Sequence, residues 1–414
     1  MERNFSMYKH ILVTLDGSHP SQFAGQTAIA FAEAIGCRIT ACHVYGAEYH
    51  RRRFTDMEPG LPSRYQSGQS LAHLRSTHDK LILEGFHSLS SGYMETFIAS
   101  CIAKNITVES ATAEGRSYVG ILQLAASLEC DLIAIGANGL GATGNGLLGG
   151  TTTRILNSAP CDVLIARRPI GPGSVLTGVD GSEAALHAVD NAVGLGRRMN
   201  RPVQMAAVYD PDFHSHVFGV MAQSLSSATQ TQIGLDGQEQ LHDEIINDGL
   251  GKLYSEFLLE ARQRYRENNV KLSQSLLTGK PYCALNEAAK EQNAQLIVIS
   301  RHGHHRESYS RLGSNAECLI RTTTTNVLLV GGVEGKLPES NAAFNVEHID
   351  DSSGSLPWDP AAEERLKHVP SFVRTMAKRM VEKAVKNSGR QRIEVRDFNS
   401  VAAQFGMMPK KGHE

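Results

Sequence analysis

A domain-length segment occurs twice in this chain of 414 residues. The stretch LVTLDGS at residues 12–18 returns as LTGVDGS at residues 176–182, so that Asp16 matches Asp180 at an offset of 164 residues. The same offset joins further pairs of identical residues: Tyr45 and Tyr209, Gly85 and Gly249, Gly115 and Gly279, Tyr118 and Tyr282, Gly139 and Gly303, Gly149 and Gly313. Because the offset never changes, the chain contains two tandem copies of one domain.

Short apolar runs alternate with helical patterns in each copy. In the first copy the runs are ILVTL, ITACHVY, ITVESAT, DLIAIG and DVLIA, and the second copy repeats them as SVLTGV, VQMAAVY, VKLSQSLL, QLIVIS and NVLLVG. They are rich in β-branched residues and nearly continuous, as buried parallel strands are. The alternation predicts an α/β fold with two tandem five-stranded parallel sheets, each covered by helices on both faces.

Composition narrows the class of protein. Apolar residues make up 41% of the chain and the formal net charge is −2, which is typical of a soluble globular protein and argues against nucleic-acid binding. No apolar run is long enough for a signal peptide or a membrane span. The seven cysteines lack C-x-x-C spacing, which favours reduced thiols over disulfides or a zinc site. We therefore expect a cytoplasmic protein with no membrane partner and no metal-ligand set.

A glycine-rich loop, IGANGLGATGNGLLGGTTT at residues 135–153, follows the fourth strand of the first copy. Ligands of doubly wound sheets bind beyond the carboxyl ends of the strands, and free N–H groups at a helix start favour phosphate. Residues 144–151 have the spacing of a P-loop, but Gly150 stands in place of its lysine. GLGATG at residues 139–144 follows the wrong strand for a dinucleotide fingerprint. The remaining pattern is Gly136-x2-Gly139-x9-Gly149.

That spacing, joined to an early strand ending in DGS, resembles the nucleotide-binding branch of the universal stress protein family. The resemblance covers residues 8–169 and 172–333. It implies a Rossmann-like, adenine nucleotide alpha hydrolase-like fold in each copy, and binding of ATP, ADP or AMP, alone or with Mg²⁺. In the first copy the implied binding residues are Asp16, Val44, Gly136, Gly139, Gly149, Gly150 and Thr151. In the second copy they are Asp180, Val208, Ser300, Gly303, Gly313, Ser314 and Asn315.

By this resemblance Asp16 would face the nucleoside, the Val44 backbone would contact adenine, and the glycine loop would surround ribose and phosphates. Each copy departs from the family motif at one position. The first has Gly150 where the motif has Ser or Thr, and the second has Ser300 where the motif has Gly. Because a side chain at a close-approach glycine is the more serious change, we expect the first copy to be the tighter site. The alternative is that the glycines only shape turns and both pockets are empty.

No catalytic set emerges from the sequence. The glycine loop lacks the Lys or Arg that compensates charge in fast phosphoryl transfer, so we expect binding with at most slow ATP hydrolysis. The histidine-rich stretch RHGHHR at residues 301–306 lacks metal-ligand spacing. It is interpreted as a solvated basic loop that could attract polyphosphate.

The C-terminal part of the chain differs from the two copies. Residues 334–356 are rich in Ser, Gly, Pro and Asn, which predicts a linker. Residues 357–406 then predict a small helical domain, with a helix start at Asp359 and Pro360. A second helix to about Asn387 would carry an apolar stripe: Phe372, Val373, Met376, Met380, Val381 and Val385. Nine Lys or Arg against three acids between Glu363 and Arg392 give this segment a local charge of +6.

Residues 357–405, with PWDPAAEERLKHVPSFVR at their head, resemble the small C-terminal domain of the light-independent protochlorophyllide reductase B subunit. The iron–sulfur ligands and catalytic core of that enzyme have no counterpart here, so the resemblance implies a helical docking module with an unknown protein partner. Two function classes follow. One is a nucleotide-binding stress or regulatory protein whose basic tail carries the output, and the other is a nucleotide-free scaffold in a redox or tetrapyrrole-related complex.

The universal stress protein resemblance also implies how the copies assemble. Proteins of that family commonly pair through their last strands, here DVLIA and NVLLVG. Tandem copies can satisfy this pairing inside one chain, so we expect an intramolecular pseudo-dimer and leave open a homodimer of the whole chain.

Overall fold

The computed structural model describes residues 7–141, 148–211, 220, 224–233, 248–265, 271–304, 311–333, 344–348, 356–367, 369, 377–378, 381–382, 384–385 and 388–404. The chain forms two compact units. The first comprises Met1–His50 and Phe97–Glu347, and the second comprises Arg51–Thr96 and His348–Glu414.

The first copy forms the predicted five parallel strands in the order β3-β2-β1-β4-β5. Its strands are β1 (His10–Thr14), β2 (Arg38–Tyr45), β3 (Val108–Glu114), β4 (Leu132–Gly136) and β5 (Asp162–Ala166). Its helices are α1 (His19–Ile35), α2 (Ala47–Met57), α3 (Gly68–Ala103), α4 (Ser117–Ser127) and α5 (Gly150–Leu156). Ser18 caps α1 by accepting a hydrogen bond from Ser21 N, and Pro20 follows within its first turn.

The second copy repeats this order as β10-β9-β6-β7-β8. Its strands are β6 (Ser174–Val179), β7 (Val203–Tyr209), β8 (Leu272–Thr278), β9 (Ala294–Ser300) and β10 (Asn326–Val330). Its helices are α6 (Glu183–Arg198), α7 (Ser227–Ile233), α8 (Asp248–Gln263), α9 (Pro281–Glu291) and α10 (Ser314–Thr322). The predicted fold class is therefore confirmed, and β3 and β8 even occupy the same positions at the 164-residue offset, from Val108 to Leu272.

Within the described residues the two sheets and one further strand, β11 (Phe344–His348), join to form a single sheet of 11 strands. The join is an antiparallel ladder between β5 and β10, in which Leu164 faces Leu328. These are the two last strands that the sequence predicts to pair. Both strands are almost wholly buried, so each covers the edge that the other would expose.

Polar contacts reinforce this join. The hydroxyl of Tyr8 donates to Asp162 Oδ2 at 2.7 Å, and the backbone N–H of Gly331 donates to Asp162 Oδ1 at 2.8 Å. Asn326 Oδ1 accepts from the backbone N–H of Arg167 at 2.8 Å. Burial raises the pKa of Asp162, while the hydrogen bonds from Gly331 and Tyr8 oppose the rise. Asp162 thus has both carboxylate oxygens paired at the join, whereas Asn326 uses its Oδ1 and leaves its buried Nδ2 without a partner among the described residues.

The interpretation of residues 301–306 as a solvated basic loop is wrong for Arg301, which is only 3% exposed. Its side chain donates to the carbonyl of Gly331 at 2.7 Å and, across the join, to the carbonyl of Leu156 at the end of α5. Burial lowers the pKa of Arg301 to about 10. The residue is a structural contact between the copies, and residues 305–310 of this loop lie outside the described part of the chain.

The predicted linker 334–356 contains a strand, β11 (Phe344–His348), which lies next to β3 at the edge of the sheet. Val346 packs against the main hydrophobic core. The apolar–polar alternation of FNVEH is typical of a strand with one buried face, which agrees with this pairing. The predicted boundaries of the two copies (8–169 and 172–333) and of the tail domain (357–406) stay predictions.

In the second unit, the described tail residues form a small core of Val381, Val385, Ile393 and Val401, with Leu356, Trp358 and Phe398 packed against it. Its helices are α11 (Pro360–Lys367) and α12 (Val395–Gln404). Asp359 Oδ1 accepts from Ala361 N at 3.4 Å at the start of α11, as the sequence predicts. Two members of the predicted stripe, Val381 and Val385, are thus core residues. The other four, Phe372, Val373, Met376 and Met380, lie outside the described residues.

No described helix combines the length and the apolar character that crossing a membrane requires.

Candidate functional site

A cleft of about 560 Å³ opens at the carboxyl ends of β1, β2 and β4 in the first copy. This is the edge of a parallel sheet at which ligands are expected. All seven residues predicted for this copy line the cleft: Asp16, Val44, Gly136, Gly139, Gly149, Gly150 and Thr151. The structure therefore brings together the strand-end aspartate and the glycine loop.

Asp16 is held by the turn that begins α1. Its Oδ1 accepts from the backbone N–H of Ser18 at 3.0 Å and from the Ser18 hydroxyl at 2.5 Å. Gly17, between them, has a φ of 80°, a conformation that glycine adopts at little cost. Among the described residues, Asp16 Oδ2 has no hydrogen-bond donor. It is an acceptor at the wall of the cleft.

The spacing glycines allow close packing of the chain on itself. A Cβ on Gly136 would lie 2.7 Å from the backbone of Pro20, and one on Gly149 would lie 3.2 Å from the Cα atom of Asn138. A Cβ on Gly139 would press against Asp16 Oδ2. These glycines bring loop backbone to the aspartate, so their first role is to shape the cleft.

Hydrogen bonds fix the other end of the glycine loop. Gly149 N donates to the Ala137 carbonyl at 2.8 Å. The buried hydroxyl of Thr152 donates to the Gly136 carbonyl at 2.9 Å. Thr151, one residue earlier, stays half-buried in the cleft wall. A hydroxyl is thus available next to Gly150, one position later than in the family motif.

Residues that sequence reasoning missed complete the wall. Ile121, Ile135 and Leu148 supply apolar surface, and Ser117 supplies a hydroxyl. His43 lies beside Val44 on β2, and burial lowers the pKa of its imidazole to about 4, although the nearby Asp16 carboxylate opposes this shift. The sequence position of His43 could have indicated it, because His43 immediately precedes Val44, the strand residue expected to contact adenine.

The second copy repeats the core of this arrangement. A Cβ on Gly303 would press against Asp180 Oδ2, and Ser182 caps the next helix while its hydroxyl donates to Asp180 Oδ1 at 2.6 Å. Here Oδ2 also accepts, from the backbone N–H of His304 at 3.0 Å. The hydroxyl of Ser300 donates to the carbonyl of His302 at 2.8 Å, so it is bonded within its own loop.

The remaining predicted residues of the second copy lie at two places. Gly313 precedes α10 and its N–H donates to the Arg301 carbonyl at 2.9 Å, while Ser314 and Asn315 begin that helix. Val208 is buried on β7. The structure thus places these residues at the same strand ends and loop as their counterparts in the first copy.

Aromatic side chains distinguish the second copy. Tyr254 on α8 lies 6.0 Å from Tyr209 and 5.5 Å from Phe257 between ring centroids. Phe257 packs on Gly181, where an added Cβ would be 2.5 Å from its ring. Burial and the charge of Asp180 together raise the pKa of Tyr254. Bulky groups therefore crowd the aspartate of the second copy.

No group of three or more His, Cys, Asp or Glu side chains suited to a metal ion occurs within the described ranges. The described cysteines are unpaired thiols. Burial raises the pKa of Cys37 and Cys101 to about 12 each, which makes them poor nucleophiles at neutral pH.

The sequence model of the universal stress protein family matches residues 7–167 and 173–331. The chain belongs to the universal stress protein family. Both copies belong to it, since each match spans one copy. A separate model, described as the proto-chlorophyllide reductase 57 kD subunit, matches residues 358–401 at the tail.

Individual proteins are similar to parts of this universal stress protein. A universal stress protein of Thermus aquaticus is 28% identical over 163 residues, which is 39% of this chain and 100% of that protein. A universal stress protein of Mycolicibacterium smegmatis is 27% identical over 244 residues, or 56% of this chain and 72% of that protein. The crystal structure of a universal stress protein from Archaeoglobus fulgidus covers 78% of this chain and 98% of its own, at 16% identity and a TM-score of 0.45.

Proposed function

We propose that this universal stress protein binds an adenine nucleotide (ATP, ADP or AMP) in the cleft of its first copy and serves as a stress-response or regulatory protein. The observation that carries the proposal is the meeting of Asp16 with the glycine loop. A carboxylate oxygen that has no donor among the described residues and the bare backbone of the loop meet in one cleft of about 560 Å³. That volume falls in the range of small-molecule sites.

The chemistry of the cleft wall supports a nucleoside. Ile121, Ile135 and Val44 supply an apolar region that could accept a base. Asp16 Oδ2 is an acceptor suited to a ribose hydroxyl. A nucleoside needs both kinds of contact, and buried apolar surface with a few oriented polar groups is the usual composition of such a site.

The other side of the cleft supports phosphate binding. The loop backbone from Gly139 to Thr151 contains no acidic residue that would repel an anion. It contains no Lys or Arg either, so it would not stabilise the charge that develops in fast phosphoryl transfer. We infer that the protein holds its nucleotide and hydrolyses it slowly at most. Mg²⁺, where present, would come with the phosphates.

The proposal assigns the tighter site to the first copy. The second copy has its aspartate oxygen occupied by the His304 N–H and its surroundings crowded by Tyr254 and Phe257. A nucleoside would have to displace that hydrogen bond, and a hydrogen bond to a charged group such as the Asp180 carboxylate contributes about 1.5–3 kcal/mol.

Two matched variants test the assignment. Gly139→Val and Gly303→Val each place a side chain against the aspartate of one copy, at equivalent geometry, so each serves as the control for the other. Calorimetric titration of the full chain with ATP should show loss of the tighter site only in Gly139→Val. Mass spectrometry of nucleotide released from the purified protein by heating is the independent measurement. Absence of binding in the unmodified protein refutes the function, and loss of the tighter site in Gly303→Val reverses the assignment.

We further propose that the basic tail carries the output by docking on a protein partner. Of the three residues predicted for its positive face, Lys378 is described, and Arg374 and Arg379 lie outside the described residues. The support is the segment's charge of +6 between Glu363 and Arg392, which favours an acidic partner.

A further inference from the structure

A second, smaller pocket of about 430 Å³ adjoins the nucleotide cleft of the first copy. We call it the arginine pocket; it is lined by Gly46, Tyr49, Gly115, Arg116, Ser117, Tyr118, Thr151 and Arg154. Ser117 and Thr151 line both cavities. Thr151 also ends the glycine loop, so the arginine pocket meets the cleft on the side assigned to phosphates.

The two guanidinium groups of this pocket are held in place by neutral partners. Arg116 forms hydrogen bonds with the side chains of Tyr49 and Tyr118. The guanidinium of Arg154 lies over the ring of Tyr118, 5.4 Å from its centroid, and donates to the carbonyl of Gly150 at 3.1 Å. Tyr118 therefore contacts both arginines. The hydrogen bond to the carbonyl of Gly150 also fixes Arg154 against the glycine loop.

The charge of this pocket is not compensated by its wall. No Asp or Glu is among its lining residues, and neither arginine has a carboxylate partner in the described part of the chain. The cleft beside it differs in charge, because no Lys or Arg is among its lining residues. Two positive charges therefore lie beside a cleft whose wall has a carboxylate, Asp16, and no described cation, and an anion that extends from the cleft on the side of Thr151 would meet them.

The second copy lacks this pair of cations. Lys280 and Tyr282 stand at the positions of Arg116 and Tyr118, but Cys318 stands at the position of Arg154. The arginine pocket is thus a feature of the first copy, the same copy whose aspartate is uncommitted.

We propose that the arginine pocket binds the distal phosphates of a nucleotide, so that the first copy selects nucleoside triphosphates over monophosphates. This inference rests on the proposed nucleotide function of the adjoining cleft. Arginine presents several N–H donors to phosphate oxygens, and such charge-assisted hydrogen bonds are about twice as strong as neutral ones. A monophosphate held by the N–H groups of the loop would gain little from the arginines, whereas the distal phosphates of a triphosphate would extend toward both of them.

The test compares ATP, ADP and AMP by calorimetric titration of the full chain in a chelator-containing buffer. Variants are Arg116→Gln, Arg154→Gln and the double substitution. Lys280→Gln, at the position of Arg116 in the second copy, is the matched control, and Arg198→Gln on α6 controls for net charge. We expect the unmodified protein to bind ATP at least about tenfold more tightly than AMP, the double variant to lose that preference, and AMP affinity to stay unchanged.

The outcomes separate the two proposals. Equal affinities for ATP and AMP in the unmodified protein, or a preference that survives the double substitution, would overturn the arginine pocket and leave nucleotide binding standing. A parallel loss of ATP and AMP affinity in Arg154→Gln would also overturn it, because the residue would then act by shaping the loop through Gly150. Absence of any nucleotide binding would overturn both. Arg154→Lys should keep part of the preference, since it keeps the charge.

Discussion

Because burial lowers the pKa of His43 from an ordinary 6.5 to about 4, we expect its imidazole to stay neutral in the folded protein down to about that pH and the first copy to lose stability in acid. The groups near the imidazole are the Asp16 carboxylate, whose charge opposes the shift, and the Tyr45 ring on the same strand, at 6.5 Å between ring centroids. The second copy has Ala207 at this position, so His43→Ala gives the first copy the residue that its own repeat uses.

The sign of the effect follows from proton binding. As pH falls below 6.5, unfolded chains protonate at His43, while the folded protein stays neutral there until about pH 4. The unfolded state therefore binds more protons between these values, and the free energy of unfolding falls as the solution is acidified. Each pKa unit is equivalent to about 1.36 kcal/mol, so the shift from 6.5 to about 4 limits the loss at His43 to about 3.4 kcal/mol.

Two measurements check this prediction. NMR titration should show a histidine resonance, absent in His43→Ala, that does not titrate between about pH 7.5 and about pH 5. Urea unfolding of the full chain should show that acidification from about pH 7.5 to about pH 5 lowers the stability of the unmodified protein, relative to the variant, by about 2 kcal/mol. Burial also lowers the pKa of His10, but this residue is present in both proteins and cancels in the difference. A resonance of His43 that titrates near 6.5, or a difference independent of pH, would refute the reasoning.

Three further predictions concern the rest of the chain. A fragment of residues 1–170 should dimerise in sedimentation experiments because its last strand loses its partner; a strictly monomeric fragment would contradict this. Arg301→Met should lower the free energy of unfolding by about 2–4 kcal/mol, because two buried carbonyls lose their donor; unchanged urea midpoints would show that the buried arginine adds nothing. Charge reversal on the tail by Arg374→Glu, Lys378→Glu and Arg379→Glu should abolish capture of the partner and leave ATP titrations unaltered. An unchanged pull-down profile would count against the docking role.

The sequence predicts the fold because the repeat and the apolar runs are local patterns. Most strands are nearly continuous buried segments, although β3 and β8 are partly exposed, and the constant offset transfers every assignment from one copy to the other. The aspartate and the glycine loop also follow from local position, since both come directly after predicted strands. The carboxyl ends of parallel strands meet at one edge, so their proximity could be expected before the structure was known.

Long-range contacts are the part that local patterns do not contain. RHGHHR has the composition of an exposed loop, and Arg301 is buried only because the carbonyl of Leu156 lies across the join to receive it. The short strand Phe344–His348 lies in a segment with linker composition, and its pairing depends on an edge that β3 exposes. The arginine pocket likewise requires Tyr49, Arg116 and Arg154, which come from three separate segments.

Residues at equivalent positions in the two copies make different contacts. Ala137 in the first copy corresponds to Arg301 in the second, where the longer side chain reaches the end of α5. Thr152, which holds the glycine loop of the first copy, corresponds to Ala316, which has no hydroxyl to do so. A duplicated domain needs only one of its two loops to contact the other copy, and that loop is then constrained by the join. In the described part of the first loop Ala137 stands where Arg301 makes this contact, which is a physical reason to expect the tighter ligand site in the first copy.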